Sequence, residues 1–144
     1  DILCIIVGSG QLKRELEKLI KELNLQDHIK LVGAKPHEEI PLWMNACDVF
    51  VLSSLKESFG IVQIEAMACG KPIVATYNEG SEEIIKDKKV GILVEPTNYS
   101  ELSYEIIRVL NQEWNSQYIL DYTKKFDIKN TTKEIIQVYR EVLK

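Results

Sequence analysis

The sequence predicts an α/β fold in which a parallel sheet carries helices on both faces. Short apolar runs, typical of strands buried on both sides, alternate along the chain with amphipathic stripes of helical period. Short turns join these segments, as they do in strand–helix–strand units. The chain has 144 residues, of which 45% are hydrophobic and 28% charged, so we expect residues 1–144 to form a single domain.

Five apolar runs predict the strands. The first, Ile2 to Val7, is continuous and therefore predicts a strand that is covered on both faces. The other four runs occupy residues 29–32, 49–52, 72–76 and 91–94. Because each run is separated from the next by a helix-like segment, the strands are expected to be parallel.

Six segments predict helices. The first has an apolar stripe with helical spacing, formed by Leu12, Leu16, Leu19, Ile20 and Leu23. The others cover residues 38–46, 61–69, 81–86, 100–110 and 130–143. Gly70 predicts the end of the helix at 61–69, and Ser100 predicts the N-cap of the helix that follows it. The stripe of the helix at 130–143 either closes the core or docks on a further domain.

Composition excludes several classes of function. The net charge of −4 gives no positive field for nucleic acid or for an anionic membrane. The apolar runs are too short to span a bilayer. Cys4, Cys47 and Cys69 are widely spaced among apolar neighbours, which predicts small buried side chains in a reducing compartment. His28 and His37 lack the spacing of metal ligands, so we predict no metal site.

The ligand site of such a fold is expected beyond the carboxyl ends of the strands. This rule places four loops on one edge, at residues 8–10, 33–36, 53–60 and 77–80. In the third loop, Gly60 precedes a helix whose first amides have no intrahelical partner. These amides and the helix dipole together predict a phosphate site.

Two glutamates flank this helix start. Glu57 precedes Gly60, and Glu65 lies about one turn into an otherwise apolar helix in which Gln63 is the other polar residue. Gln63 and Glu65 are two positions apart, so at most one of them faces solvent if the helix is packed. A carboxylate can accept two hydrogen bonds from vicinal hydroxyls, as in a ribose. The spacing therefore describes a ligand with hydroxyls on both sides of a phosphate.

A purely structural explanation of the two glutamates stays open at this point. Glu57 could pair with Lys56 or Lys71 at the surface, and Glu65 could cap a neighbouring loop.

A larger set of motifs resembles a known family. The segments 48–54 (DVFVLSS), 57–60 (ESFG) and 65–76 (EAMACGKPIVAT) closely resemble the signature of group 1 retaining glycosyltransferases. Residues 29–33, 79–85 and 91–96 are also similar to the carboxyl-terminal domain of that family, and the closing helix resembles the segment that crosses back onto the amino-terminal domain. The resemblance implies a GT-B enzyme, with two Rossmann-like domains, of which this chain would be the carboxyl-terminal donor half.

The resemblance implies a role for each site residue. Glu65 would bind the ribose hydroxyls, and Glu57 would act as the catalytic residue at the transferred sugar. The implied backbone contacts to the donor come from Ser58, Phe59 and Gly60 near the sugar, Ile61 and Val62 near the diphosphate, and Ala34 and Lys35 beside the base. Gly8 and Gly10 match a glycine turn on the same edge.

The chain also departs from the family pattern. Ser58 stands where the family usually has glycine, and Glu79-Gly80 replaces a glycine pair. An Arg and a Lys that neutralise the diphosphate would lie upstream of this chain, as would the acceptor-binding domain, so we expect the fragment alone to be inactive.

The expected activity is retaining transfer of a sugar from a nucleoside diphosphate sugar to an acceptor hydroxyl, with no cofactor besides this donor. The expected acceptor is a glycan or lipid held by the amino-terminal domain, with no nucleic-acid partner. The expected location is cytoplasmic, and a peripheral contact with the inner face of a membrane is left open for the full-length protein.

Three alternatives remain for comparison. A dinucleotide-dependent dehydrogenase fits poorly, because Lys13 replaces the third glycine of its fingerprint and no acidic residue follows the second strand. A phosphorylase or epimerase of the GT-B fold is a second alternative, although no site for a pyridoxal-phosphate lysine is evident. The third is a non-catalytic module of the same fold that binds nucleotide-sugars or carbohydrates.

Overall fold

A computed structural model describes residues 1–143 of the chain. The chain forms two compact units, Asp1–Ile40 and Pro41–Lys144. Within both units every strand pairing is parallel. The predicted α/β class with parallel sheets and flanking helices is therefore confirmed.

The first unit is one strand–helix–strand motif. Strands β1 (Cys4–Val7) and β2 (Ile29–Gly33) pair in parallel on either side of helix α1 (Lys13–Glu22). Cys4 lies opposite Ile29, and the register shifts between Ile6 and Val7. A 3-10 turn, His37–Glu39, follows β2. The structure therefore has the predicted order of elements in this part of the chain.

The prediction that β1 is covered on both faces is wrong for the described structure. All four residues of β1 are exposed, and Ile5 and Ile6 keep 44% and 39% of their surface. β1 is hydrogen-bonded to β2 alone in a two-stranded sheet, and two strands cover little apolar surface. Cys4 is likewise exposed instead of buried, and Cys47 and Cys69 are only half-buried.

The second unit is built on a three-stranded sheet. Its strands, in the order β3-β4-β5, are Phe50–Leu52, Ile73–Thr76 and Gly91–Val94. Its helices are α2 (Ile40–Ala46, beginning at the last residue of the first unit), α3 (Ile61–Ala68), α4 (Glu79–Ile84), α5 (Tyr99–Leu110), α6 (Ser116–Thr123) and α7 (Ile128–Val142). A 3-10 turn, Lys124–Phe126, joins α6 to α7. Helix α6 and this turn were not predicted.

The core of the second unit lies around β4. All four β4 residues are buried, and because successive side chains of a strand point to opposite faces, both faces of β4 are covered. On one face Val74 and Val94 pack against Val109 of α5. Trp114 packs against the same cluster, and its indole donates to the carbonyl of Val109 at 3.0 Å. Trp114 is therefore a packing residue of this core.

Helix α5 is capped by a residue other than the predicted one. Asn98 is its N-cap: the side-chain oxygen of Asn98 accepts from the amide of Glu101 at 3.1 Å. The carboxylate of Glu101 in turn accepts from the side-chain amide of Asn98 at 2.9 Å. Ser100, the predicted cap, therefore lies inside the first turn, because the reciprocal Asn98–Glu101 pair begins the helix two residues earlier.

Helix α7 extends the predicted final helix by two residues at its start. Its apolar stripe is exposed, with Ile135 at 51% and Val138 at 58% of their surface. The alternative in which this stripe closes the core is therefore wrong for the described structure, and docking on a further domain stays a prediction. Among residues 1–143, no helix combines the length and the apolar character that a bilayer crossing requires.

Candidate functional site

The loop at residues 53–60 is fixed to the end of β4 by polar contacts. The carbonyl of Ser54 accepts from the hydroxyl of Thr76 at 2.5 Å and from the side-chain amide of Asn78 at 3.2 Å. Asn78 also caps α4, because its oxygen accepts from the amide of Ser81 at 2.8 Å. The Asn78 side chain thus joins the predicted site loop to the start of α4.

Gly80 brings the backbone of this loop against α4. Its amide donates to the carbonyl of Glu57 at 3.2 Å. A Cβ atom at position 80 would lie 2.7 to 2.8 Å from the backbone of Phe59, which is closer than a side chain allows. Glycine is therefore required here. In the family pattern that the sequence resembles, position 80 is the second residue of a glycine pair, and Glu79 stands at the first.

Gly60 turns the loop into helix α3 with a left-handed backbone, at φ +83°. Its carbonyl accepts the first helical bond, from the amide of Gln63 at 2.9 Å. The amides of Ile61 and Val62 precede that bond, as expected at a helix start. A Cβ atom at position 60 would lie 3.1 Å from Cγ of Glu57, so this glutamate lies directly beside the turn.

The two predicted site glutamates remain available for a ligand. Both are half-exposed, and within residues 1–143 neither forms an ion pair. The alternative in which Glu57 pairs with Lys56 or Lys71 is therefore wrong. The structure brings Glu57 to the start of α3, while Glu65 lies one turn along that helix.

Helix α3 has a solvent-facing stripe that the sequence did not reveal. Ile61 keeps 63% and Val62 37% of their surface, and Ala68 is exposed. Ile61, Glu65 and Ala68 follow helical spacing, so Glu65 lies on this stripe. This helix, which is almost wholly apolar in sequence, is therefore not packed on all sides, because its start is open where the loop turns into it.

Gln63 is the buried polar residue of α3. It has no exposed surface, and in the described part of the chain its side-chain nitrogen and oxygen have no hydrogen-bond partner. Its Nε2 atom lies beside Gly60, where an added Cβ would be only 2.3 Å away. The expectation that at most one of Gln63 and Glu65 faces solvent is confirmed, and Glu65 is the one.

The predicted site residues of the first unit lie at the end of its own sheet. The amide of Gly8 donates to the carbonyl of Gly33 at 2.9 Å, which joins the ends of β1 and β2. Gly8 has a φ of +146°, and a Cβ at Gly8 or Gly10 would meet open space. Ala34 is exposed and Lys35 half-buried. Their donor contacts, and the common edge for all four loops, stay predictions.

Cys69 follows Glu65 by four residues, at the end of α3. Burial raises the pKa of the Cys69 thiol, which also accepts a hydrogen bond from Asn45 at 3.4 Å. Within residues 1–143 no three His, Cys, Asp or Glu side chains are grouped so that they could hold a metal ion.

Two shallow hollows lie elsewhere in the second unit. One, of about 270 Å³, lies at the amino ends of β3 and β4 beside Asp48 and Lys71. The other lies along the apolar stripe of α7. Neither hollow is lined by Glu57 or Glu65.

Comparison with solved structures defines the class of protein. Over 97% of its length the chain superposes on HepE of Anabaena, solved in complex with UDP, with a TM-score of 0.81 and 26% identity. A second structure of HepE, in complex with UDP-glucose, matches with a TM-score of 0.77 and 29% identity over 96% of the chain. The chain spans 41% of each HepE chain. Its fold is that of the GT-B glycosyltransferases.

The family follows from the sequence match. Residues 1–126 match the model of the group 1 glycosyl transferases, and the chain belongs to this family. An uncharacterized glycosyltransferase of Methanocaldococcus jannaschii is 33% identical over 95% of the chain, which spans 40% of that relative. The chain therefore covers about two fifths of this relative and of HepE.

Proposed function

We propose that this chain is the donor-binding domain of a retaining glycosyltransferase. The full-length protein would transfer a sugar from a nucleoside diphosphate sugar to an acceptor hydroxyl. The observation that carries the proposal is the start of α3: Glu57 lies beside the left-handed turn at Gly60, and Glu65 follows on the exposed stripe of the same helix.

The arrangement suits a diphosphate flanked by hydroxyl groups. The amides of Ile61 and Val62 would donate to the diphosphate, and the dipole of the eight-residue α3 favours an anion at this end. Glu65 would accept hydrogen bonds from the ribose diol, and Glu57 would contact the sugar. Ser58, Phe59 and Gly60 would contribute backbone contacts to that sugar.

The proposed chemistry follows from where charge develops. The bond from the anomeric carbon to the diphosphate oxygen breaks, and a bond to the acceptor oxygen forms on the same face of the sugar. The departing diphosphate keeps the electron pair of the broken bond and would take the proton of the acceptor hydroxyl. Positive charge develops on the sugar, where the Glu57 carboxylate would stabilise it, and negative charge develops on the diphosphate. Amides that already point at this charge stabilise it without reorganising. The transfer would need no cofactor besides the donor and no metal ion.

Uridine is the base to test first. Anabaena HepE was solved with UDP and with UDP-glucose, and it is 26 to 29% identical to this chain. The acceptor would be a glycan or a lipid bound by another part of the full-length protein. A cytoplasmic location, with peripheral membrane contact through that other part, belongs to the same proposal.

Separate variants of the two glutamates test this function in the full-length protein. Glu65→Ala removes an acceptor for the ribose hydroxyls, so donor binding is expected to weaken by about 10- to 100-fold. Glu57→Gln keeps the shape but removes the charge at the sugar, so we expect kcat to fall by about 100-fold with little change in donor affinity. Calorimetry gives the first quantity, and steady-state kinetics gives the second.

The matched control is Glu82→Ala, an exposed glutamate on the neighbouring helix α4. It should change neither quantity. Negligible effects of both site variants, or effects equal to that of Glu82→Ala, contradict the proposal. Donor binding without any transfer to acceptors would instead identify a non-catalytic binding module.

A further inference from the structure

Three aromatic side chains form a chain of ring contacts that begins in the site loop. The ring of Phe59 meets the ring of Phe126 edge-to-face, with centroids 6.2 Å apart and planes at 76°. Phe126 in turn meets Tyr122 at 6.3 Å and 66°. Both separations lie in the range at which aromatic pairs attract each other. We call these three residues the aromatic brace.

The far end of the brace is fixed. The hydroxyl of Tyr122 donates to the carbonyl of Ile84 at 2.9 Å and accepts from the amide of Lys86 at 3.2 Å. The ammonium group of Lys125 lies 3.6 Å from the centre of the Tyr122 ring. Tyr122 is therefore tied to the carboxyl end of α4.

Phe59, at the near end of the brace, also contacts α4 through its backbone. The backbone of Phe59 lies against Gly80 in the first turn of that helix. Helix α4 thus contacts Phe59 directly at its start and, through Tyr122 and Phe126, indirectly from its end. Two separate contacts, one to the backbone and one to the ring, fix both the position of Phe59 and its rotation.

We propose that Phe126 is a positioning residue for donor binding. It would act through Phe59, by fixing the loop that places Glu57 and the turn at Gly60. The inference rests on the proposed function, and it adds a residue that the sequence motifs do not contain: Phe126 lies in a 3-10 turn beyond β5, α5 and α6. Loss of its ring leaves Phe59 free to rotate, and a site misplaced by a fraction of an ångström binds and reacts more weakly.

The test compares variants of Phe126 in the full-length protein. Uridine, guanosine and adenosine diphosphates are titrated by calorimetry, and kcat and KM for the matching sugar donor are measured. Phe126→Ala should weaken binding of the diphosphate that the wild type binds by about tenfold and raise the donor KM similarly. Phe126→Tyr should restore most of the affinity, because it retains the ring.

A purely structural role gives a different result. If Phe126 only stabilised the fold, Phe126→Ala would reduce the fraction of folded protein and leave the Kd of the folded fraction unchanged. Phe126→Leu, which keeps apolar bulk, serves if the alanine variant does not fold, and it should still weaken binding. Tyr104→Ala, at an exposed tyrosine of α5, is the control and should match the wild type.

The possible failures are distinguishable. If the wild type binds none of the three diphosphates, the proposed function is wrong and this inference falls with it. If the wild type binds one of them and both Phe126→Ala and Phe126→Leu bind it equally well, only the inference is overturned.

Discussion

Gln63 is the residue whose burial needs a physical explanation. A buried amide without hydrogen-bond partners destabilises a protein, because the group loses its bonds to water on folding. Gln63 lies beside Gly60, so this loss of stability falls where the ligand is proposed to bind. Residues that weaken the fold are often retained at sites of function.

Gln63→Met should therefore stabilise the protein. Methionine has nearly the same length and volume but no groups that need hydrogen bonds, so we expect the free energy of unfolding to rise by about 1 kcal/mol. Chemical denaturation measures this change. Gln112→Met, at an exposed glutamine, is the control and should give almost none. A loss of stability in Gln63→Met would show that the amide is hydrogen-bonded in solution.

At the scale of elements, the site depends on how α4 begins. Asn78 caps α4 and also donates to the carbonyls of Ser54 and Thr76, at 3.2 and 3.0 Å. Asn98 caps α5 in a similar way, but its bonds stay within that helix start. Comparing variants of the two asparagines therefore distinguishes the effect of losing a helix cap from the effect of losing a contact to the site loop.

Both caps are expected to contribute stability, and only one is expected to contribute to binding. Asn78→Ala and Asn98→Ala should each lower the free energy of unfolding by about 1 kcal/mol. Only Asn78→Ala should also weaken nucleoside diphosphate binding, because it removes one of the two hydrogen bonds that hold the carbonyl of Ser54. Thermal unfolding and calorimetry on both variants give these quantities. Equal binding by the two variants would contradict the role of Asn78 in fixing the loop.

Some elements could be predicted from the sequence and others could not. The five strands and the helix that ends at Gly70 were predicted because continuous apolar runs and glycine stops are local signals. Helix α6 was missed because its eight residues have only a weak apolar pattern. The brace contact of Phe126 was missed because it joins residues far apart in sequence, which only the fold brings together.

The same distinction applies within the candidate site. Glu57, Gly60 and Glu65 were predicted as site residues from spacing and from the family resemblance, because they lie in one loop and one helix, and their roles stay a prediction. The burial of Gln63 and the exposure of Ile61 were not found. Both depend on which side of α3 faces the rest of the unit, and an almost wholly apolar helix gives no signal for that side. Asn78 did carry a local signal, an N-cap residue before a helix, that the prediction overlooked.

For the molecule as a whole, acid pH should lower stability through the carboxylate of Asp87. A hydrogen bond from the Tyr118 hydroxyl holds the pKa of Asp87 below its usual value, and the amide of Lys89 acts in the same direction. A group whose pKa is lower in the folded state stabilises it above the ordinary pKa. That contribution is lost as pH falls through the lowered pKa.

Tyr118→Phe tests this link between α6 and the turn after α4. The variant removes the hydroxyl, so the pKa of Asp87 returns toward its ordinary value. We expect a lower midpoint of thermal unfolding at pH 7 and a smaller difference between wild type and variant near pH 3. Unfolding is followed from pH 7 to pH 3, with Tyr104→Phe as control. A difference that does not change with pH would contradict this role of Asp87.

In the proposed function, the start of α3 binds the diphosphate of a nucleotide-sugar, with Glu65 on the ribose. Calorimetric titration of uridine, guanosine and adenosine diphosphates into the full-length protein, wild type and Glu65→Ala, tests this claim. We expect saturable one-to-one binding of at least one diphosphate by the wild type and clear weakening in the variant. Absence of binding to the wild type by all three, or equal affinity in both proteins, would contradict the claim.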